Sequence, residues 1–109
     1  MSGWIGVDLD GTLAHYTGYA GPEAIGEPVP LMLTRVKNWI AAGRKVKIFT
    51  ARADDPVSVG YIKAWLFQHG IGGLEVTNQK DFGMIELWDD RCVQVVMNTG
   101  RRADGKEEN

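Results

Sequence analysis

The sequence predicts an α/β protein: a three-layer, mostly parallel sheet with helices on both faces. Three observations carry this expectation. Short apolar runs bounded by polar residues recur along the 109-residue chain, as buried strands do. Between them lie longer segments whose apolar residues fall at helical spacing. The two patterns alternate, which is what parallel strands joined by helical crossovers require.

Each element follows in order. Ile5-Gly6-Val7 is a short apolar run ending at Asp8, and reads as the first strand. Residues 11–28 hold six glycines and prolines without sustained periodicity, and read as a loop with a small hairpin. Pro30 suits the first position of a helix. Val29, Met32, Leu33, Val36, Trp39 and Ile40 share one face of that helix, and Gly43 stops it. Val46 to Thr50 reads as the second strand. Asp55-Pro56 is a cap and first-turn pair. The helix that follows carries Val57, Tyr61, Ile62, Trp65 and Leu66 on one face and ends near Gly70. Leu74 to Val76 is a brief third strand and Met84 to Trp88 a fourth. Val93 and Val95 alternate with Gln94, so Val93 to Met97 is expected to be a fifth strand. The expected organisation is one domain over residues 1–100 with a loose polar tail over 101–109. In such a Rossmann-like sheet, ligands bind beyond the carboxyl ends of the strands.

Composition sets outer limits. Hydrophobic content is 44% and charged content 24%, ordinary for a globular chain. No apolar run approaches the roughly 20 residues that span a bilayer, so no membrane partner is expected. The first residues lack the basic and long apolar regions of a signal peptide. Cys92 is the single cysteine and is expected to be a small buried residue. These points favour the cytoplasm. The net charge of −2 does not advertise nucleic-acid binding.

The residues just past the strands define the functional search. Asp8, Asp10, Gly11 and Thr12 follow the first strand; Thr50, Ala51 and Arg52 follow the second. Lys80 lies past the third, and Asp89 and Asp90 follow the fourth. A parallel sheet gathers all of them at one edge. Four carboxylates sharing a crevice raise one another's pKa, and a divalent cation relieves that repulsion. An all-oxygen donor set without His or Cys favours Mg2+ or Ca2+ over zinc. Gly11 lets the chain turn sharply, so that Asp8 can face a substrate with Asp10 nearby as a proton donor. Thr12 and neighbouring N–H groups can cradle a phosphate, Thr50 can donate to a phosphoryl oxygen, and Lys80 can neutralise its charge. Arg52 either contacts substrate or pairs with a neighbouring Asp. The four tryptophans fall mainly on apolar faces and read as core.

Asp8-Leu9-Asp10-Gly11-Thr12-Leu13 resembles the first motif of the haloacid dehalogenase superfamily of phosphatases. Thr50, Lys80 and Asp89-Asp90 resemble its second, third and fourth motifs in chain order, so the likeness covers residues 4 to about 98. The resemblance implies that Asp8 is the nucleophile and Asp10 the general acid, later the base. It implies Mg2+ held by Asp8, the backbone carbonyl of Asp10 and the pair Asp89 and Asp90, with Asp90 favoured for direct ligation. It implies a phosphoryl group bound by Thr50 and Lys80, with Gly11, Thr12, Ala51 and Arg52 around it. Two departures accompany the likeness. No stretch is long enough for a cap domain, so the site is expected to be open. Only Asp81, Phe82 and Gly83 separate Lys80 from the fourth strand, so the usual intervening helix is absent. Asp89-Asp90-Arg91 with Val95-Val96 also resembles the phosphatase domain of phage-type polynucleotide kinases.

The expected activity is therefore Mg2+-dependent phosphomonoester hydrolysis through an aspartyl-phosphate on Asp8. An open site suits bulky phosphorylated substrates, nucleic-acid ends among them, or a small metabolite if a second copy supplies the lid. The oligomeric state is not legible. Two other classes compete: a phospho-accepting receiver-like domain and an inactive relative that only binds. A receiver places its acidic pair first and its lone aspartate later, the reverse of the order here.

Overall fold

The computed structural model describes residues 3–106. Its elements run β1 (Trp4–Val7), α1 (Pro30–Ala41), β2 (Lys45–Phe49), a 3-10 turn (Ala51–Asp54), α2 (Pro56–Gln68), β3 (Glu75–Thr77) and β4 (Met84–Trp88). The four strands form one all-parallel sheet in the order β3-β2-β1-β4.

Register explains which face is covered. Ile5 pairs with Val46 and Val7 with Ile48, so these four side chains share a face. All are buried in one cluster with Met32 and Val36 of α1 and Ile62, Trp65 and Leu66 of α2. Both helices therefore lie on the same face. Right-handed crossovers from β1 to β2 and from β2 to β3 step in one direction and place them there. The expected third layer is thus not built by the described residues. A helix on the other face would have to come from the β3–β4 connection, and that connection is only the loop 78–83.

The loop covers the second face in another way. The Trp4 indole N–H donates to Asp81 at 2.8 Å, and the Trp4 backbone N–H donates to the Gly83 carbonyl at 2.7 Å. The Lys47 ammonium sits 4.4 Å from the centre of the Trp4 ring and 3.5 Å from Glu75. Trp4 is left only 2% exposed without a helix above it.

Local signals account for the helix ends. Pro30 and Pro56 open α1 and α2, and the Asp55 carboxylate accepts from the Val57 N–H and the Ser58 hydroxyl. Gly43 takes a φ of 78° just past α1. The expected small hairpin in the first loop is present as an antiparallel bridge between Ala14 and Pro28, flanked by bonds from His15 N–H to Glu27 and from Val29 N–H to Leu13.

Other expectations change. The inner face of α2 is Ser58, Ile62, Trp65 and Leu66, while Val57 and Tyr61 are exposed. Val93 to Met97 is not a strand: Val95 makes a single bridge to Arg102, and Val93, Val95, Val96 and Met97 all face solvent. In the described part of the tail, the Ala103 and Val96 N–H groups bond to the Gln94 and Arg101 carbonyls, and Arg102 pairs with Asp104. Residues 107–109 of that tail lie outside the described residues. Cys92 is exposed, not buried.

Candidate active site

Because every strand runs the same way, the residues that follow the strands meet at one edge. Asp8, Thr50, Asn78 and Asp89 come directly after β1, β2, β3 and β4, and all four line an open cleft of about 960 Å3. Asp10, Ala51, Arg52 and Asp90 line it too.

The first turn after β1 is held from inside. Leu9 and Leu13 are fully buried, and the Leu9 carbonyl accepts from the Thr12, Leu13 and Ala14 N–H groups. These two leucines pin the turn, and Asp8 and Asp10 on either side of Leu9 line the cleft, while Gly11 and Thr12 are not part of its wall. Gly11 is required twice over. Its φ is 90°, and a Cβ there would lie 2.6 Å from an Asp90 carboxylate oxygen. The chain thus brings the carboxylate of the fourth strand end against the backbone of the first.

Asp8, Asp89 and Asp90 converge: one carboxylate oxygen from each lies within 4.8 Å of the others. Thr12 stitches the group together. Its hydroxyl lies 3.1 Å from Asp90 Oδ1 and 3.4 Å from Asp8 Oδ2, and it accepts from the Asp90 N–H at 3.0 Å. The Asp8 N–H donates to the Trp88 carbonyl at 2.9 Å, which fixes Asp8 beside the fourth strand end. Burial pushes the Asp8 carboxyl up from its ordinary value of 3.8 to about 7, helped by Asp89, by a hydrogen bond with Asp90, and by the charges of Asp90 and Asp10. No lysine or arginine forms an ion pair with Asp8, Asp89 or Asp90 among the described residues. An all-oxygen, over-acidic cluster with no internal counter-ion is a donor set that fits a hard divalent cation.

Asp10 is treated differently. Arg52 Nε donates to Asp10 Oδ2 at 2.8 Å and Nη2 to Oδ1 at 3.0 Å, a two-pronged ion pair. Arg52 is buried, and it also reaches the carbonyls of Gly21, Pro22 and Ala24. Of the two roles open to it from sequence, the structure places it in an ion pair, but with Asp10 and not with Asp54 or Asp55. Thr50 begins the 3-10 turn, and its hydroxyl oxygen accepts from the Arg52 N–H at 3.2 Å. That leaves the Thr50 proton free to donate into the cleft.

A scan of protein families, curated proteins and solved structures finds nothing that matches this chain.

The structure does not bring Lys80 to the wall of the cleft, and the residue is exposed. The reason is the missing helix. By Asp81 the chain is already bonded to the Trp4 indole, three residues down β1 from Val7, or about 10 Å along the strand. Asn78 occupies the strand-end position instead. Sequence reasoning misses Asn78, although the strand-end rule finds it once Thr77 is included in β3. Tyr16, Tyr19 and Arg91 form part of the cleft wall, as does Ser58 from α2. His69 packs its ring edge-on against Trp65, with centroids 4.6 Å apart, and takes no part in the site.

Proposed function

We propose that this protein is a magnesium-dependent phosphomonoester hydrolase of the haloacid-dehalogenase kind, uncapped, with Asp8 as nucleophile. The observation that carries the reading is the convergence of Asp8, Asp89 and Asp90, with no counter-ion among the described residues, beside Thr50 at the carboxyl edge of a parallel sheet.

Asp8, Asp89 and Asp90 would hold the cation, with the Asp10 backbone carbonyl as a further donor. Bound there, Mg2+ supplies charge neutralisation for the carboxylates and for the phosphoryl oxygens. The residues do the rest. Asp8 Oδ attacks phosphorus, and the bond from phosphorus to the leaving oxygen breaks. Asp10, which must enter this step carrying a proton on an oxygen lone pair that Arg52 leaves free, gives that proton to the leaving oxygen, so an alcohol departs. Water then attacks the phosphoryl group on Asp8, Asp10 accepts the water's proton, and inorganic phosphate leaves with Asp8 regenerated. Thr50 donates its hydroxyl proton to a phosphoryl oxygen. Lys80 lies on an exposed loop off the cleft wall and carries no step of this scheme. The open cleft suits a phosphate carried on a bulky group, including a nucleic-acid end.

The test is turnover of p-nitrophenyl phosphate and of an alkyl phosphate with and without Mg2+. Repeated turnover that needs the metal supports the reading. A single slow phosphorylation, or none, overturns it in favour of a receiver-like or purely binding protein.

A further inference from the structure

Within this proposed hydrolase, we propose that Arg52 is a positioning residue for Asp10 and does not bind the substrate phosphate. The inference rests on the assignment of Asp10 as proton donor and acceptor.

The donor count decides it. A guanidinium has five N–H groups and no acceptor. Arg52 Nε donates to Asp10 Oδ2 at 2.8 Å. Nη2 donates to Asp10 Oδ1 at 3.0 Å and to the Ala24 carbonyl at 3.1 Å. Nη1 reaches the Gly21 and Pro22 carbonyls at 3.4 and 3.5 Å. All three guanidinium nitrogens have protein partners: Nε and Nη2 bond Asp10, Nη2 also bonds Ala24, and Nη1 makes longer contacts to Gly21 and Pro22. The Tyr19 ring lies 5.1 Å from the guanidinium carbon and closes its face. Arg52 is 8% exposed, so no second set of donors waits at the surface.

The same bonds fix what Asp10 can do. Two parallel N–H···O bonds hold the carboxylate plane, and each oxygen keeps a further lone pair for the cleft that Asp10 lines. Arg52 thereby aims Asp10 from a rigid base, because its own backbone sits in the 3-10 turn capped by Thr50. Its remaining bonds tie residues 21–24 to the same point, so the first loop and the second strand end are registered through one side chain. A lysine keeps the charge but cannot make the two-pronged contact.

The experiment compares Arg52→Lys, Asp10→Asn and the double variant on p-nitrophenyl phosphate and on an alkyl phosphate, in the full chain with Mg2+. Arg52→Lys should lower kcat on the alkyl phosphate by about 10- to 100-fold, the usual cost of a misplaced catalytic group. The loss on the aryl phosphate should be several-fold smaller in the step that releases p-nitrophenol, because that leaving group needs little protonation. KM should stay nearly unchanged on both, and the double variant should be no worse than Asp10→Asn alone. A raised KM with kcat retained, equal on both substrates and additive with Asp10→Asn, would make Arg52 a phosphate binder and overturn the proposal. Equal kcat losses on both substrates, with no burst of p-nitrophenol, would make it merely structural and would overturn the proposal as well. If Arg52→Lys fails to fold, the unmutated protein gives the answer by NMR of the Arg52 Nε–H. That signal should be slow to exchange and unmoved by Mg2+ with inorganic phosphate; a large shift on adding phosphate refutes the assignment. Absence of turnover by the unmutated protein would instead sink the phosphatase reading itself, and the positioning role with it.

Discussion

Two acidic groups sit side by side in this cleft and are handled in opposite ways. Asp10 is gripped by a buried arginine through both oxygens. Asp8, Asp89 and Asp90 each bring a carboxylate oxygen within 4.8 Å of the others, and no lysine or arginine among the described residues pairs with them. A chain that can deliver an arginine to Asp10 could have compensated the triad in the same way. On the proposed reading, the triad's repulsion is relieved from outside by a cation, while Asp10 is oriented from within by Arg52. The triad's energetic signature is the Asp8 carboxyl, raised to about 7 chiefly by burial and then by its acidic neighbours.

The contrast breaks most sharply with Asp8→Asn. An amide is a poor nucleophile and nearly isosteric, so phosphatase turnover should fall below detection. The thermal midpoint of the metal-free protein at about pH 7.5 should rise, because one member of the repelling set has lost its charge. Retention of more than a few per cent of activity would remove Asp8 from the nucleophile's role.

Next in size is the metal. Millimolar Mg2+ should raise the midpoint by several degrees through preferential binding to the native state, since about 100 Kd of ligand is worth roughly 2.7 kcal/mol. Asp90→Ala should erase that shift. An unmutated protein indifferent to Mg2+ would leave the triad without the counter-ion assigned to it.

A smaller effect is the pH dependence of the metal-free protein. The folded Asp8 carboxyl lies above its ordinary value of 3.8, so the native state holds a proton that the unfolded chain releases. This contribution to stability is fully present below about pH 4 and is lost as pH rises through about 7. Denaturant midpoints measured across that window should decline with pH in the unmutated protein, against a flatter profile in Asp8→Asn. A Mg2+-saturated sample should also be flatter. Identical profiles for the apo protein and Asp8→Asn would contradict the assigned shift.

The smallest is Thr12→Val, which removes the hydroxyl bridging Asp8, Asp90 and the Asp90 N–H. It should cost about 1 kcal/mol of stability, the usual net worth of a hydrogen bond. The Mg2+-induced rise in midpoint should shrink without vanishing, in contrast to Asp90→Ala. A full loss would show that Thr12, and not the carboxylates, organises the site.

Much of this arrangement is legible in the sequence because it depends on local pattern plus one rule. Short apolar runs locate the strands, and parallel pairing places Asp8, Thr50 and Asp89 at one edge. The Arg52–Asp10 pair is not legible, because 42 residues separate the partners and two nearer aspartates offer the same charge. The covered face is missed for a related reason. Alternation of strands and helices implies a parallel sheet, but the side each helix takes depends on strand order, and β1, β2 and β3 step one way. The alternation of Val93 and Val95 misleads, since Asn98 and Gly100 take φ of 68° and 75° and turn the chain back before any ladder forms. On α2, Val57 and Tyr61 read as inward only because they are apolar. Ser58 takes that position instead, its hydroxyl satisfied by Asp55.

Everything proposed for the cleft turns on the phosphoryl group passing through Asp8. Acid-quenching the Asp10→Asn variant during turnover of p-nitrophenyl phosphate with Mg2+ should trap it, because the variant lacks the base for the second step. Peptide mass spectrometry should then find one phosphoryl group on the segment containing Asp8, with a matching burst of p-nitrophenol. Steady turnover without a burst, and with no phosphoryl group on that segment, would rule out the aspartyl-phosphate route.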